Sequence, residues 1–176
     1  MNGLIQSKAH LEKIAKQKEE QRKIDEKFMC QAIKQAKLAL IAGEIPVGAV
    51  IVKDGEIIAR AQNKKERKNC AVYHAEVLAI ISASKKLGWR LDGCELYVNL
   101  EPCAMCAGAI VSARIKRVIF GMNEKKSGAF ESREEILSNS GLNHKTQWES
   151  GILKEECEKV WEEFCKNRPP KPSVKK

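Results

Sequence analysis

No stretch of this 176-residue chain is apolar for long enough to cross a bilayer, and Met1 to Lys27 mixes lysine with glutamate where a signal peptide needs an apolar core. The expected location is therefore cytoplasmic, with no membrane partner. An even cysteine set is also missing. Seven cysteines, unevenly spaced and without secretory context, argue against a disulfide framework and for reduced thiols or metal ligands. No internal repeat is present. Apolar residues are not scarce: at 43% hydrophobic and 31% charged, the composition is that of a folded domain and excludes a disordered tail. The excess lies in positive charge. A net charge of +9 favours a polyanionic partner, through faster encounter and counterion release, without establishing one.

Helix formers fill Leu4 to Lys23, which reads as a charged helical arm over residues 1–23. Asp25 is placed to cap a second helix, with Phe28, Met29, Ala32, Ile33, Ala36 and Leu40 at helical spacing and Gly43 as the stop. "VGAVIVKDGEIIARAQ" predicts two β-strands turning at Asp54-Gly55, the first nearly all apolar and therefore central. Further helices are expected at His74 to Leu87, Cys103 to about Ile115, and Leu153 to about Lys166. Strands are expected at Glu95 to Leu100, Arg117 to Gly121 and Thr146 to Glu149. This order predicts an α/β fold: a mixed five-stranded sheet with helices on both faces, spanning residues 24–168, followed by a basic tail at 169–176. Active-site residues then collect at helix starts beyond the strand ends.

Two short motifs carry chemistry. In "LEPCAMCAGAI", Pro102 suits a helix start, and Cys103 and Cys106 fall on one face of the helix, whose N-terminus favours thiolates. In "VYHAEVLAI", His74 opens another helix and offers a third ligand. Two thiolates and an imidazole suit Zn²⁺, and three protein ligands leave one tetrahedral position open, the mark of a catalytic site. Glu76, two residues on, is then placed to shuttle protons beside the metal. A redox CxxC pair lacks a thioredoxin-like setting here. A structural zinc would need a fourth ligand, for which His144, Cys70 and Cys94 are the candidates. Cys30, Cys94 and Cys157 are expected as buried thiols. H-x-E followed by P-C-x-x-C is the general signature of zinc nucleobase deaminases.

Beyond those motifs, residues from about Asp25 to Arg168 resemble the bacterial tRNA adenosine deaminases of the cytidine deaminase-like superfamily. The resemblance lies in "EIPVGAVIV", Asn63, "HAEVLAI", "LYVNLEPCAMCAGAIVSARIKRVIFG", "GLNH" and "GILKEEC". It implies a three-layer α/β/α fold, zinc on His74, Cys103 and Cys106, Glu76 as proton shuttle and Asn63 on the target base. It further implies a tRNA anticodon stem-loop as substrate and a homodimer. The basic residues Lys64 and Lys65 beside Asn63, Lys166 and Arg168 with Phe164 in an aromatic and basic last helix like the family's, and Tyr73 beside His74 are the candidate RNA contacts, a solvated face or outward packing being the alternative for each. Three departures bear on substrate. Ala71-Val72-Tyr73 replaces a Pro-Thr-Ala run, Glu124 and Ser127 stand where the family has Asp and Thr around a shared lysine, Lys126, and Cys165 replaces an aromatic. Deamination of a free base or nucleoside, and RNA binding around a structural zinc, are the competing expectations.

Overall fold

The computed structural model describes residues 2–132 and 144–167, of which 2–9 are described by backbone alone. Arg168, the tail at 169–176 and Gly141 to Asn143 of "GLNH" lie outside the described residues. The elements run α1 (Asn2–Ile41), β1 (Gly48–Lys53), β2 (Glu56–Gln62), α2 (Ala75–Leu87), β3 (Glu95–Leu100), α3 (Ala104–Ser112), β4 (Arg117–Met122), β5 (Gln147–Ser150) and α4 (Lys154–Asn167). No helix among the described residues is long and apolar enough to cross a membrane.

The strands form one sheet in the order β2-β1-β3-β4-β5. β1 pairs antiparallel with both β2 and β3, whereas β3, β4 and β5 are parallel, each joined to the next by a crossover. The hairpin turns where expected: Asp54 (φ 50°) and Gly55 (φ 78°) are both left-handed, as a two-residue type I′ turn requires.

Alternation along the inner strands sends side chains to two cores. Ala49, Ile51, Leu96, Val98, Val118 and Phe120 meet α2 and α3 on one face. Val50, Val52, Tyr97 and Ile119 meet Phe28, Met29, Ala32 and Ala36 of α1, and Cys157 and Val160 of α4, on the other. Every residue of β1 up to Val52 is therefore buried, which explains its unbroken apolar sequence.

Asp25 begins no helix. It lies inside α1, fully buried, with Arg117 of β4 donating Nη1–H and Nη2–H to its two oxygens at 2.8 and 2.6 Å and the Tyr97 hydroxyl donating at 2.8 Å. A partner 92 residues away thus removes the helix break that local sequence suggests. Cys30 is a second correction. Cys94 and Cys157 are buried, but Cys30 is exposed, because it falls one step off the stripe Met29-Ala32-Ile33-Ala36.

Gly48 shows how tightly α1 lies on the sheet. A Cβ there would overlap the backbone of Ala32 and Ala36, so only glycine permits the approach.

Candidate metal centre and cleft

Both chemical motifs fold into N-termini of helices. His74 is the N-cap of α2 and Cys103 the N-cap of α3, both extended, and neither side chain caps its own helix. The side chains turn toward each other. His74 Nδ1 lies 3.6 Å from Cys103 Sγ and 3.5 Å from Cys106 Sγ, and the three ligand atoms all fall within 4.8 Å of one another. Metal–sulfur and metal–nitrogen bonds of about 2.3 and 2.0–2.1 Å at a tetrahedral angle separate N from S by about 3.6 Å, so the donor set fits Zn²⁺.

Among the described residues this metal group has three members. The proposed fourth ligands are elsewhere: His144 Nε2 hydrogen-bonds the Ile115 carbonyl at 2.9 Å, and Cys70 and Cys94 fall outside the cluster. A closed four-ligand structural site is therefore not what these residues form.

The thiols share a proton when no metal holds them. A hydrogen bond from Cys106 pushes the Cys103 thiol down to about 4, against the opposing effect of burial. The same bond, with burial and the nearby Glu76, pushes Cys106 up. His74 is raised, chiefly by its hydrogen bond to Cys103. A cation replacing that proton releases both sulfurs as thiolates.

Glu76 stands in the first turn of α2, only 3% exposed, and burial raises its pKa. Its Oε2 is buried without a hydrogen-bond partner. Leaving such an oxygen unpaired is costly, so it calls for a partner that the protein itself does not supply.

A cleft of about 140 Å³ opens over this cluster, lined by Ile45, Val47, Asn63, His74, Glu76, Leu100, Glu101, Cys103, Glu124, Ser127 and Trp161. Asn63, expected on the substrate, is there. Tyr73, Lys64, Lys65, Phe164 and Lys166 are not among the lining residues. Lys64, Lys65 and Tyr73 are half-buried on the loop leading to His74, where Tyr73 takes a backbone bond from Lys64 N–H at 3.0 Å. Phe164 and Lys166 sit on α4, Phe164 half-buried and Lys166 exposed.

Two buried carboxylates that the sequence did not single out hold the cleft's two loops. Glu44 accepts Asn63 Nδ2–H at 3.1 Å, Glu66 N–H at 3.1 Å and Arg67 N–H at 2.8 Å, which orients the Asn63 amide and the basic loop together. Glu101 accepts the N–H groups of Glu124, Phe130, Glu131 and Ser132 at 2.7–3.0 Å, and the Ser132 hydroxyl. Burial opposes the ionised form of Glu101, but these hydrogen bonds outweigh it and hold the carboxyl below the usual range. Gly128 completes the clasp, since a Cβ there would overlap the Glu101 carboxylate. Charged residues at a loop edge and before Pro102 were the available signals; their partners, 19–31 residues away, were not.

Residues 22–122 match the family described as the cytidine and deoxycytidylate deaminase zinc-binding region. The chain is 49% identical over 134 residues to a tRNA-specific adenosine deaminase of Bacillus subtilis (strain 168), covering 76% of this chain and 83% of that one. It is 47% identical over 144 residues to the tRNA-specific adenosine deaminase of Aquifex aeolicus (strain VF5), covering 81% and 95%. A solved structure from a study of A-to-I editing by tRNA:A34 deaminases at the wobble position of transfer RNA superposes with a TM-score of 0.73 at 41% identity, covering 76% of this chain and 97% of that chain.

Proposed function

Since the chain belongs to the cytidine and deoxycytidylate deaminase zinc-binding family, and within it to the tRNA-specific adenosine deaminases, we propose that it converts adenosine to inosine at the wobble position of a tRNA anticodon. It acts in the cytoplasm, on a base splayed out of the anticodon loop into the cleft. The observation that carries this reading is the buried, unpartnered Glu76 oxygen beside a three-ligand metal group in one cleft.

His74, Cys103 and Cys106 would hold the zinc. Zinc bound there supplies Lewis acidity, lowering the pKa of a water molecule to roughly 7 so that hydroxide is available near neutrality. Glu76 is placed to accept a proton from the attacking water and give it to the ring nitrogen N1 as oxygen adds at C6, and then to move the hydroxyl proton left on that oxygen to the amine, which leaves as ammonia as the C6 carbonyl forms. One water is consumed, a C–O bond forms and the C6–N bond breaks. Asn63, oriented by Glu44, hydrogen-bonds the base. Lys64, Lys65, Tyr73, Phe164, Lys166 and Arg168 contact the RNA around it, in keeping with the net charge of +9.

The active form is a homodimer. Exposed apolar side chains at Val72 (48%), two residues before His74, and Met105 (37%), next to Cys106, support a partner subunit covering this rim. Sedimentation of the zinc-loaded protein at micromolar concentration yields the dimer mass; a monomer removes the partner from the site.

Recombinant zinc-loaded protein incubated with a wobble-adenosine anticodon stem-loop produces inosine. Ammonia from free guanine, cytosine or adenosine, with no inosine in the stem-loop, would make the chain a free-base deaminase instead. Gly128→Ala tests the clasp on this reaction. Its added methyl displaces Glu101, and hydrogen bonds to a charged acceptor contribute about 1.5–3 kcal/mol, so kcat/KM on the stem-loop falls roughly 10- to 100-fold with zinc stoichiometry unchanged. Kinetics equal to the parent's would show that the loop needs no clasp.

A further inference from the structure

Trp161 is the one tryptophan, tyrosine or phenylalanine among the residues lining the cleft, although its place on an amphipathic helix marks it only for packing. Its position follows from how α4 is seated. Cys157 and Val160 bury the helix on the α1 side of the sheet, and Gly121 of β4 lets Cys157 approach so closely that a Cβ would collide with its sulfur. Trp161, the next residue after Val160, reaches the other core, packing partly buried against the cluster of α2 and α3. Its ring stands 5.8 Å from Phe164, tilted by 46°. The indole is thus carried on a helix, packed against a second ring and the core, and lines the cleft.

The other walls divide by chemistry. Asn63, His74 and Glu76 are polar groups suited to the edge of a base, while Ile45, Val47 and Leu100 are aliphatic. A flat purine whose edge meets the polar set must lay its faces on side walls, and an indole is the wall with a matching π-surface.

We propose that Trp161 is a specificity-determining residue on which the adenine ring of the target nucleotide stacks during deamination. The proposal rests on the tRNA reading above and assigns this chain's own side chain to one face of the base. Stacking on an aromatic ring is lost without it, so Trp161→Leu, which keeps apolar volume, lowers kcat/KM on the stem-loop roughly 5- to 100-fold, whereas Trp161→Phe stays within about threefold of the parent.

A second measurement keeps the native indole. In a Glu76→Gln background, tryptophan emission is recorded while a labelled wobble-adenosine stem-loop is titrated in, its binding followed separately by anisotropy; the same loop abasic at the target position is the control. Quenching by the adenosine loop, weak with the abasic loop and lost in Trp161→Phe, is the expected result. Binding with unchanged emission, or equal quenching by both loops, overturns the stacking role, as does a Trp161→Leu enzyme with parental kcat/KM. Failure of both RNAs to bind overturns the tRNA reading itself, and the stacking proposal with it.

Discussion

Glu76→Gln abolishes inosine formation while zinc remains bound. The substitution preserves shape, so α2 keeps its N-terminal turn and His74 its place, but an amide cannot carry the proton from water to purine. A positioned general acid–base contributes roughly 10²- to 10⁴-fold, and in the proposed mechanism one group serves addition and departure alike, which puts the expected loss toward the upper end. The carboxylate is 3% exposed with an unpartnered Oε2, and no other unpartnered buried side-chain oxygen among the described residues stands ready to replace it. Single-turnover assays on the wobble-adenosine stem-loop, with metal content by elemental analysis, give the comparison. Activity within about tenfold of the parent at full zinc occupancy would place the proton route elsewhere.

The largest effect on stability is expected far from the cleft. Asp25→Ala leaves the Arg117 guanidinium, 13% exposed, without its bidentate partner, and leaves the Tyr97 hydroxyl only Glu95 at 2.9 Å. Burial and the two carboxylates raise the Tyr97 pKa, so the hydroxyl stays a donor throughout. Removing one member of a buried ion pair costs about 3–5 kcal/mol, because the survivor remains desolvated. Urea unfolding of the zinc-loaded protein should therefore show a midpoint far below the parent's with an unchanged slope. The double variant Asp25→Leu with Arg117→Met recovers most of the loss, since exchanging both partners for apolar groups is often neutral. A single-variant loss under about 1 kcal/mol would mean that Glu95 and Glu149, at 3.6 and 2.5 Å, already satisfy Arg117.

The metal centre was legible because its parts are local: a histidine and a glutamate two apart, two cysteines three apart, each motif opening a helix. The sheet was legible for a similar reason, since β1 and β3 are short apolar runs and Asp54-Gly55 admits one kind of turn. What escaped was decided between distant segments. Glu44 and Glu101 look like surface acids until backbone N–H groups from other loops converge on them. Asp25 looks like a cap until Arg117 arrives from β4. Trp161 reads as a core residue of an amphipathic helix, which it partly is; only the seating of α4 on Gly121 turns it toward the cleft.

The continuity of α1 has a mechanical side. At about 1.5 Å per residue, the segment from Asn2 to Ile24 extends roughly 35 Å ahead of the buried Asp25, and from His10 onward its residues are exposed. A helix running unbroken into a part clamped by Arg117 and by the backbone contact at Gly48 behaves as a mast stepped into a hull. The same helix therefore links a long exposed surface directly to the buried Asp25 clamp, with no break in its hydrogen-bonded ladder between them.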